Sequence, residues 1–398
     1  MQTMPAKLMK AIGALAASAT LASCWDASAI QEINYFTSMG VDYEEKTKIY
    51  TVYAALINMA DVAKTEGSGS KMPTFVGHGQ GRTVHLALNE MYRSSQLAPT
   101  LDHLMTVVVT EPTLSHMDEV LDGINRSRAV RYNINLIGTN ESPEKILTSA
   151  RLFESPLYSF LYQPVPKGPG KPLVAPMTLQ AFVREYHSET NTTLLPNLRI
   201  NDRNWIQGDK HPNFLMYDGA FVVEKEKDKG YLTEKELRDI RWVRADASRT
   251  FMEVRRGSDV VAVLLVASNK HKLTYAAKGG RPAFTLRVTV DAFVHEMLQE
   301  AQDRDLIRLA EQNLKEDLEE AIALGREREM DLFNVEEAVY RWHLKDWKKL
   351  RAQQTKFERL PIQVEVKLNL TNTGKLKLLK NRSKWRSGNT MPSGSNGQ

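Results

Sequence analysis

The chain has 398 residues, 42% of them hydrophobic and 25% charged, with a formal net charge of +5. This size and balance indicate two or three domains with real cores, and they exclude disordered, collagen-like and fibrous proteins. A mean hydropathy of −0.39 excludes a polytopic membrane protein. The small basic excess, with no long basic block apart from a short C-terminal one, gives no footprint for nucleic acid.

The N-terminus carries Lys7 and Lys10 and then a run of apolar or small residues from Ala11 to Ala22. That run is shorter than the roughly 20 residues needed to span a bilayer but suits a signal-peptide core. It ends Leu21-Ala22-Ser23-Cys24, a hydrophobic residue, two small residues and then the only cysteine of the chain. One cysteine forms no internal disulfide and no Cys-rich metal site. Its position after a signal core is that of a bacterial lipobox, in which the thiol accepts a diacylglyceryl group. The expectation is a signal peptide over 1–23, lipidation at Cys24, and a body tethered to the outer face of a membrane, since two acyl chains suffice for stable anchoring.

Beyond Cys24, Ile30 to Tyr35 and the β-branched and aromatic run Lys48 to Asn58 read as a hairpin around a polar turn, Gly40 to Lys46. Thr65 to Lys71 reads as a flexible loop and Thr83 to Ser95 as a helix. Leu104 to Thr110 is a continuous apolar run expected to be a buried strand, followed by an amphipathic helix from Thr113 to Arg126. Tyr132 to Ile137 alternates as a strand, and Ser142-Pro143 opens a helix to Ala150. Five prolines between Pro164 and Pro176 impose a loop before a helix from Thr178 to His187. Polar Asn191 to Pro212 is read as a first domain boundary.

Phe214 to Val223 then reads as a strand and Thr233 to Trp242 as a helix, with Thr233 and Glu236 spaced as a capping box. Phe251 to Val254 and Val260 to Ala267 flank Arg255 to Asp259 as a hairpin. Lys278-Gly279-Gly280-Arg281-Pro282 is read as a second boundary. Strand Phe284 to Phe293 precedes a long helix, Asp303 to Arg328, whose stripe includes Leu306, Ala310, Leu314, Leu318 and Ile322 opposite a charged face. A helix over Leu344 to Gln354 and a strand over Ile362 to Leu370 follow. The sequence thus predicts an α+β protein of three mixed α/β domains, each a sheet with packed helices, over 24–195, 205–278 and 283–380, with a disordered basic tail over 381–398.

The search for chemistry finds little. Gly77-His78-Gly79-Gln80-Gly81 before a helix invites a phosphate loop, but Arg82 stands where the third glycine belongs and no Gly-Lys-Ser/Thr follows, so a flexible loop is the better reading. His295-Glu296 lacks the second histidine of a zinc protease, and no Gly-x-Ser-x-Gly elbow occurs. Glu316, Asp317, Glu319 and Glu320 read as the solvated face of the long helix. Trp342 and Trp347, among Arg341, Lys345, Lys348 and Lys349, suggest an aromatic-basic patch, with an aromatic core and solvated lysines as the plainer reading. No catalytic, cofactor-binding or metal-binding residue is assigned.

Several segments, taken in order behind the lipobox, resemble the Ger(x)C lipoproteins, the C subunits of bacterial spore nutrient-germinant receptors. They are Cys24-Trp25-Asp26 and Gly40-Val41-Asp42, Gly81-Arg82-Thr83-Val84 with the strand from His103 to Thr110, and Asp218 to Val223 with Gly230-Tyr231-Leu232-Thr233. The last is the acidic helix followed by Tyr340 to Trp347. The chain departs from the family pattern at Ala29, at Leu332 to Val335, and at His343-Leu344, where the family has a proline before its tryptophan. The resemblance implies a non-catalytic subunit of three mixed α/β domains on the outer surface of the spore inner membrane. Its partners would be a polytopic A subunit and a transporter-like B subunit. A solute-binding lipoprotein of a transporter is the alternative, and it would have two lobes of similar topology.

Overall fold

A computed structural model describes residues 33–56, 75–152, 158–165, 172–244, 247–278 and 281–371. Cys24, the signal segment, the expected loop over Thr65 to Lys71 and the expected tail lie outside the described residues. The architecture is α+β with two sheets, of ten and four strands. Among the described residues no helix is long and apolar enough to cross a membrane.

The first sheet is built on β1 (Ile33–Glu44) and β2 (Ile49–Leu56), which pair antiparallel. The expected hairpin is present, but Gly40 to Glu44 belong to β1, and the chain reverses only at residues 45–48, where Lys48 has φ 55°. β3 (Phe75–Gly81) pairs with β2. This strand is the Gly-x-Gly-x-Gly run read from the sequence as a loop. Its glycines occupy alternate positions, hence one face, and helix α1 (Val84–Tyr92) lies directly on that face. A Cβ at Gly79 would overlap the Ala87 carbonyl oxygen, and one at Gly81 would sit 2.6 Å from the Ala87 nitrogen. The glycines therefore admit a helix backbone against a strand, and a phosphate has no place there. Thr83 caps α1, its hydroxyl accepting from the Leu86 nitrogen at 3.2 Å.

After β4 (Ala98–Thr100), β5 (Thr106–Thr110) runs parallel to β1 and is buried at every position. Val107 and Val109 face one core with helices α2 (Glu111–Leu114) and α3 (Met117–Asn125), while Val108 faces a second core on the other side of the sheet. Burial on both faces explains why this strand reads as unbroken valine. The helix expected from Thr113 to Arg126 is two helices, broken at Ser115-His116. β6 (Asn135–Thr139), α4 (Pro143–Leu147), β7 (Met177–Thr178) and α5 (Leu179–Tyr186) complete the α/β layering.

The expected boundary from Asn191 to Pro212 does not end this sheet. β8 (Thr192–Asn201) and β9 (Phe214–Glu224) pair across it, and β10 (Lys227–Leu232) forms the edge, giving the order β10-β9-β8-β6-β5-β1-β2-β3. Polar groups are used inside the sheet: Asn197 of β8 donates to the Asp218 carbonyl at 2.8 Å, and Thr139 of β6 donates to the Leu198 carbonyl at 2.8 Å.

The second sheet has the order β11 (Phe251–Arg256), β12 (Asp259–Lys278), β13 (Arg281–Met297), β14 (Ile362–Thr371). The second expected boundary falls between the two long paired strands β12 and β13, which pair out to Lys278 and Arg281. The expected central unit over 205–278 is thus divided: β9 and β10 join the first sheet, while β11 and β12 join the second. Helix α6 (Glu234–Arg244) packs between them. Its capping box is formed, with the Thr233 nitrogen donating to Glu236 Oε2 at 2.7 Å and the Glu236 nitrogen donating to Thr233 Oγ1 at 3.4 Å.

The long helix α7 (Asp303–Glu327) covers the second sheet with Leu306, Ala310, Leu314, Leu318 and Ile322 buried, as its periodicity predicts. Helices α8 (Val335–Trp342) and α9 (Leu344–Ala352) lead to β14, which runs parallel to β13. The two sheets share β9 as a common wall. Ala220 and Val222 face the core under α7, while Phe221 and Val223 face the core of the first sheet.

Candidate functional site

Cys24, the single site residue the sequence singles out, lies outside the described residues. Among the described residues no group of three or more His, Cys, Asp or Glu side chains is placed to hold a metal ion. Among the described residues the buried carboxylates, Asp331 and Glu336, both lie at the junction of the two sheets.

The junction is built by the β9–β10 turn, the start of β8, the end of α6 and the start of α8. Lys225 and Glu226 occupy the turn with φ of 52° and 63°, the left-handed pair that a two-residue hairpin requires. From there Lys225 Nζ reaches Glu336 Oε2 at 2.6 Å. Glu336 is buried, and its other oxygen accepts from Trp347 Nε1 at 3.1 Å. Asp331, also buried, accepts from the backbone nitrogens of Val335 and Glu336 at 2.8 Å each, capping α8 where anionic charge suits the helix dipole. Burial still pushes its carboxyl up, to about 6.

Asn334, with φ 52°, accepts from the Thr192 nitrogen at 2.8 Å, and Arg244 donates to the Thr192 carbonyl. Desolvation lowers the Arg244 guanidinium, and the carboxylates of Glu185 and Asp331 act on it through space. Glu224, at the end of β9, is raised by burial to about 7. A cleft of 540 Å³ opens beside this cluster, with Met177, Ala181, Leu194 and Val243 as apolar walls and Glu185 and Arg244 as its charged groups. Hydrogen bonds at the junction tie the first sheet to α6 and α8, which pack in the core of the second. Thr193 of β8 donates its hydroxyl to Glu185 at 3.1 Å beside the cleft.

Two expectations about surfaces need correcting. Asp317, read as part of a wholly solvated carboxylate face, is raised by desolvation and pairs with Arg255 at 2.6 Å. Beside it, burial raises Asp239 to about 6 and lowers Arg241 to about 10, because α6 packs against α7 there. The tryptophans at the end of α8 also part company. Trp347 is 9% exposed and belongs to the core, with Tyr340 packed edge-on at 4.9 Å and Arg351 stacked at 4.9 Å. Trp342 is 79% exposed. Periodicity alone did not separate them, because the helix breaks at His343 and the phase restarts in α9.

Residues 26–200 match the model of the spore germination protein N-terminal domain, and residues 218–374 match that of the spore germination B3/GerAC-like C-terminal region. The chain belongs to the Ger(x)C spore germination family. The gap between the matched regions falls in the β8–β9 connection, so the first sheet takes its last two strands from the second region. The fold is similar to the crystal structure of the GerBC protein, with a TM-score of 0.50 and 14% identity over 84% of this chain and 97% of that one. No curated protein matches the chain.

Proposed function

We propose that this Ger(x)C protein is the lipid-anchored C subunit of a nutrient germinant receptor, required for nutrient-triggered germination and without catalysis of its own. Family matches that together span residues 26–200 and 218–374 carry this reading. The lipobox ending at Cys24 supports tethering to the outer surface of the spore inner membrane, where A- and B-type membrane subunits would be its partners. The alternative, a solute-binding lipoprotein of a transporter, calls for two lobes of similar topology. The ten-stranded mixed sheet and the four-stranded sheet here are unlike.

The test is a pulldown from spore membranes with the tagged chain, in which A- and B-type subunits should co-purify. Recovery of a transporter permease without them would favour the alternative. Cys24→Ala should release the protein from the membrane fraction and reduce the germination response. Full membrane retention of that variant, with no acyl group on the wild type by mass, would refute the anchor.

A further inference from the structure

The corner between α8 and α9 is a surface that subunit assembly does not by itself explain. Trp342 is 79% exposed, the most exposed of the large hydrophobic side chains among the described residues, and Tyr340 and Leu344 beside it are 43% and 46% exposed. Lys345, Lys348 and Lys349 are exposed on the same short stretch. Other basic groups nearby are engaged: Arg341 pairs with Glu337, Arg351 with Glu189 and Lys356 with Glu329. Among the described residues, none of the three lysines is held in an ion pair, while the nearest acid on α9, Asp346, is engaged by Tyr275. The corner is fixed from beneath by buried Trp347 and by Tyr275, whose ring lies 4.7 Å from His343.

We propose that this corner docks on the headgroup region of an anionic phospholipid bilayer, with Trp342, Tyr340 and Leu344 entering the interface and Lys345, Lys348 and Lys349 facing lipid phosphates. The proposal rests on the reading of the chain as membrane-tethered. Tryptophan and tyrosine partition to the membrane–water interface, and clustered lysines are drawn to anionic leaflets. Protein–protein interfaces use tryptophan, tyrosine and arginine but are poor in lysine, so three unpaired lysines around a bare indole fit a lipid surface better. Held this way, a lipid anchor at Cys24 alone would become a two-point attachment that fixes the orientation of the body.

The test uses the chain from residue 24 with Cys24→Ser, which retains every described strand and helix and carries no acyl group. Vesicle binding is then independent of whether the lipobox is used. It should bind vesicles of phosphatidylglycerol and phosphatidylcholine, release as salt is raised, and ignore pure phosphatidylcholine. Combined Lys345→Gln, Lys348→Gln and Lys349→Gln should weaken binding on the order of 100-fold, about fivefold per lysine. Trp342→Ala should weaken it roughly tenfold. All these side chains are exposed, so melting temperatures should not move.

Equal binding of the lysine variant and the parent would overturn the proposal, as would equal binding to neutral vesicles. It also fails if binding is lost only when residues 372–398, which carry their own lysines and arginines, are removed. Absence of vesicle binding together with lysine-dependent capture by purified receptor subunits would assign the corner to an acidic protein surface instead.

Discussion

The two sheets bury their strands differently, and this governs how each tolerates change. In the first sheet helices lie on both faces, so β5 is buried at all five positions and Val107, Val108 and Val109 serve two cores. In the second, α7 covers one face, and β14 has only Val364 and Leu368 buried while Gln363, Lys367 and Asn369 are exposed. A doubly covered sheet specifies nearly every side chain. A singly covered one specifies every second residue and leaves the other face free.

The sharpest way to break this contrast is Leu314→Asp. Leu314 is fully buried on the α7 stripe, and a carboxylate there has no partner, so the variant should lose several kcal/mol and unfold the second region. A melting temperature equal to wild type would mean that α7 is not the cover of the sheet. Next comes Gly79→Val in the first region. Its Cβ would overlap the Ala87 carbonyl, so α1 must lift off β3, at a cost of about 1–3 kcal/mol in urea unfolding. Retained stability would show that helix and strand have room to separate.

The junction titrates. Burial raises Glu224 from 4.5 to about 7, so the folded state holds this proton more tightly than the unfolded chain. Its contribution is most favourable below about pH 4.5 and is lost as pH rises to about 7. Asp331 acts in the same sense up to about 6. Glu224→Gln should therefore match wild type near pH 4 and gain on it progressively toward pH 7. Parallel stability curves across that range would place Glu224 in water. The smallest effect is expected from Glu316→Lys on the exposed face of α7, within about 0.5 kcal/mol by thermal unfolding. A larger loss would show that this face, like Asp317 next to it, is engaged.

These sites also show where the sequence was readable. The Leu306 to Ile322 stripe, the Thr233–Glu236 capping box and the Arg255 to Asp259 hairpin are local patterns whose partners lie within a few residues or along one face. β3 was not readable as a strand, because glycine has low strand propensity and its reason for being there is a helix that crosses it. β8 was not readable because its threonines and asparagines look solvated until β9 offers the Asp218 carbonyl to Asn197 and helix α5 offers Glu185 to Thr193. Helix α8 went unseen, since its cap, Asp331, makes sense only once the side chain turns back onto Val335 and Glu336.

The sequence by itself determined the family resemblance, the lipobox pattern at Cys24, the α+β class and the inward face of α7, all of which rest on residue identity or on short periods. The tertiary structure decided the number and order of strands in each sheet, because pairing joins residues far apart in the chain. It placed β9 as the wall between two cores, and it separated Trp342 from Trp347. Both tryptophans look alike in sequence, and only the packing of α8 and α9 against the second sheet puts one under the surface and leaves the other in solvent.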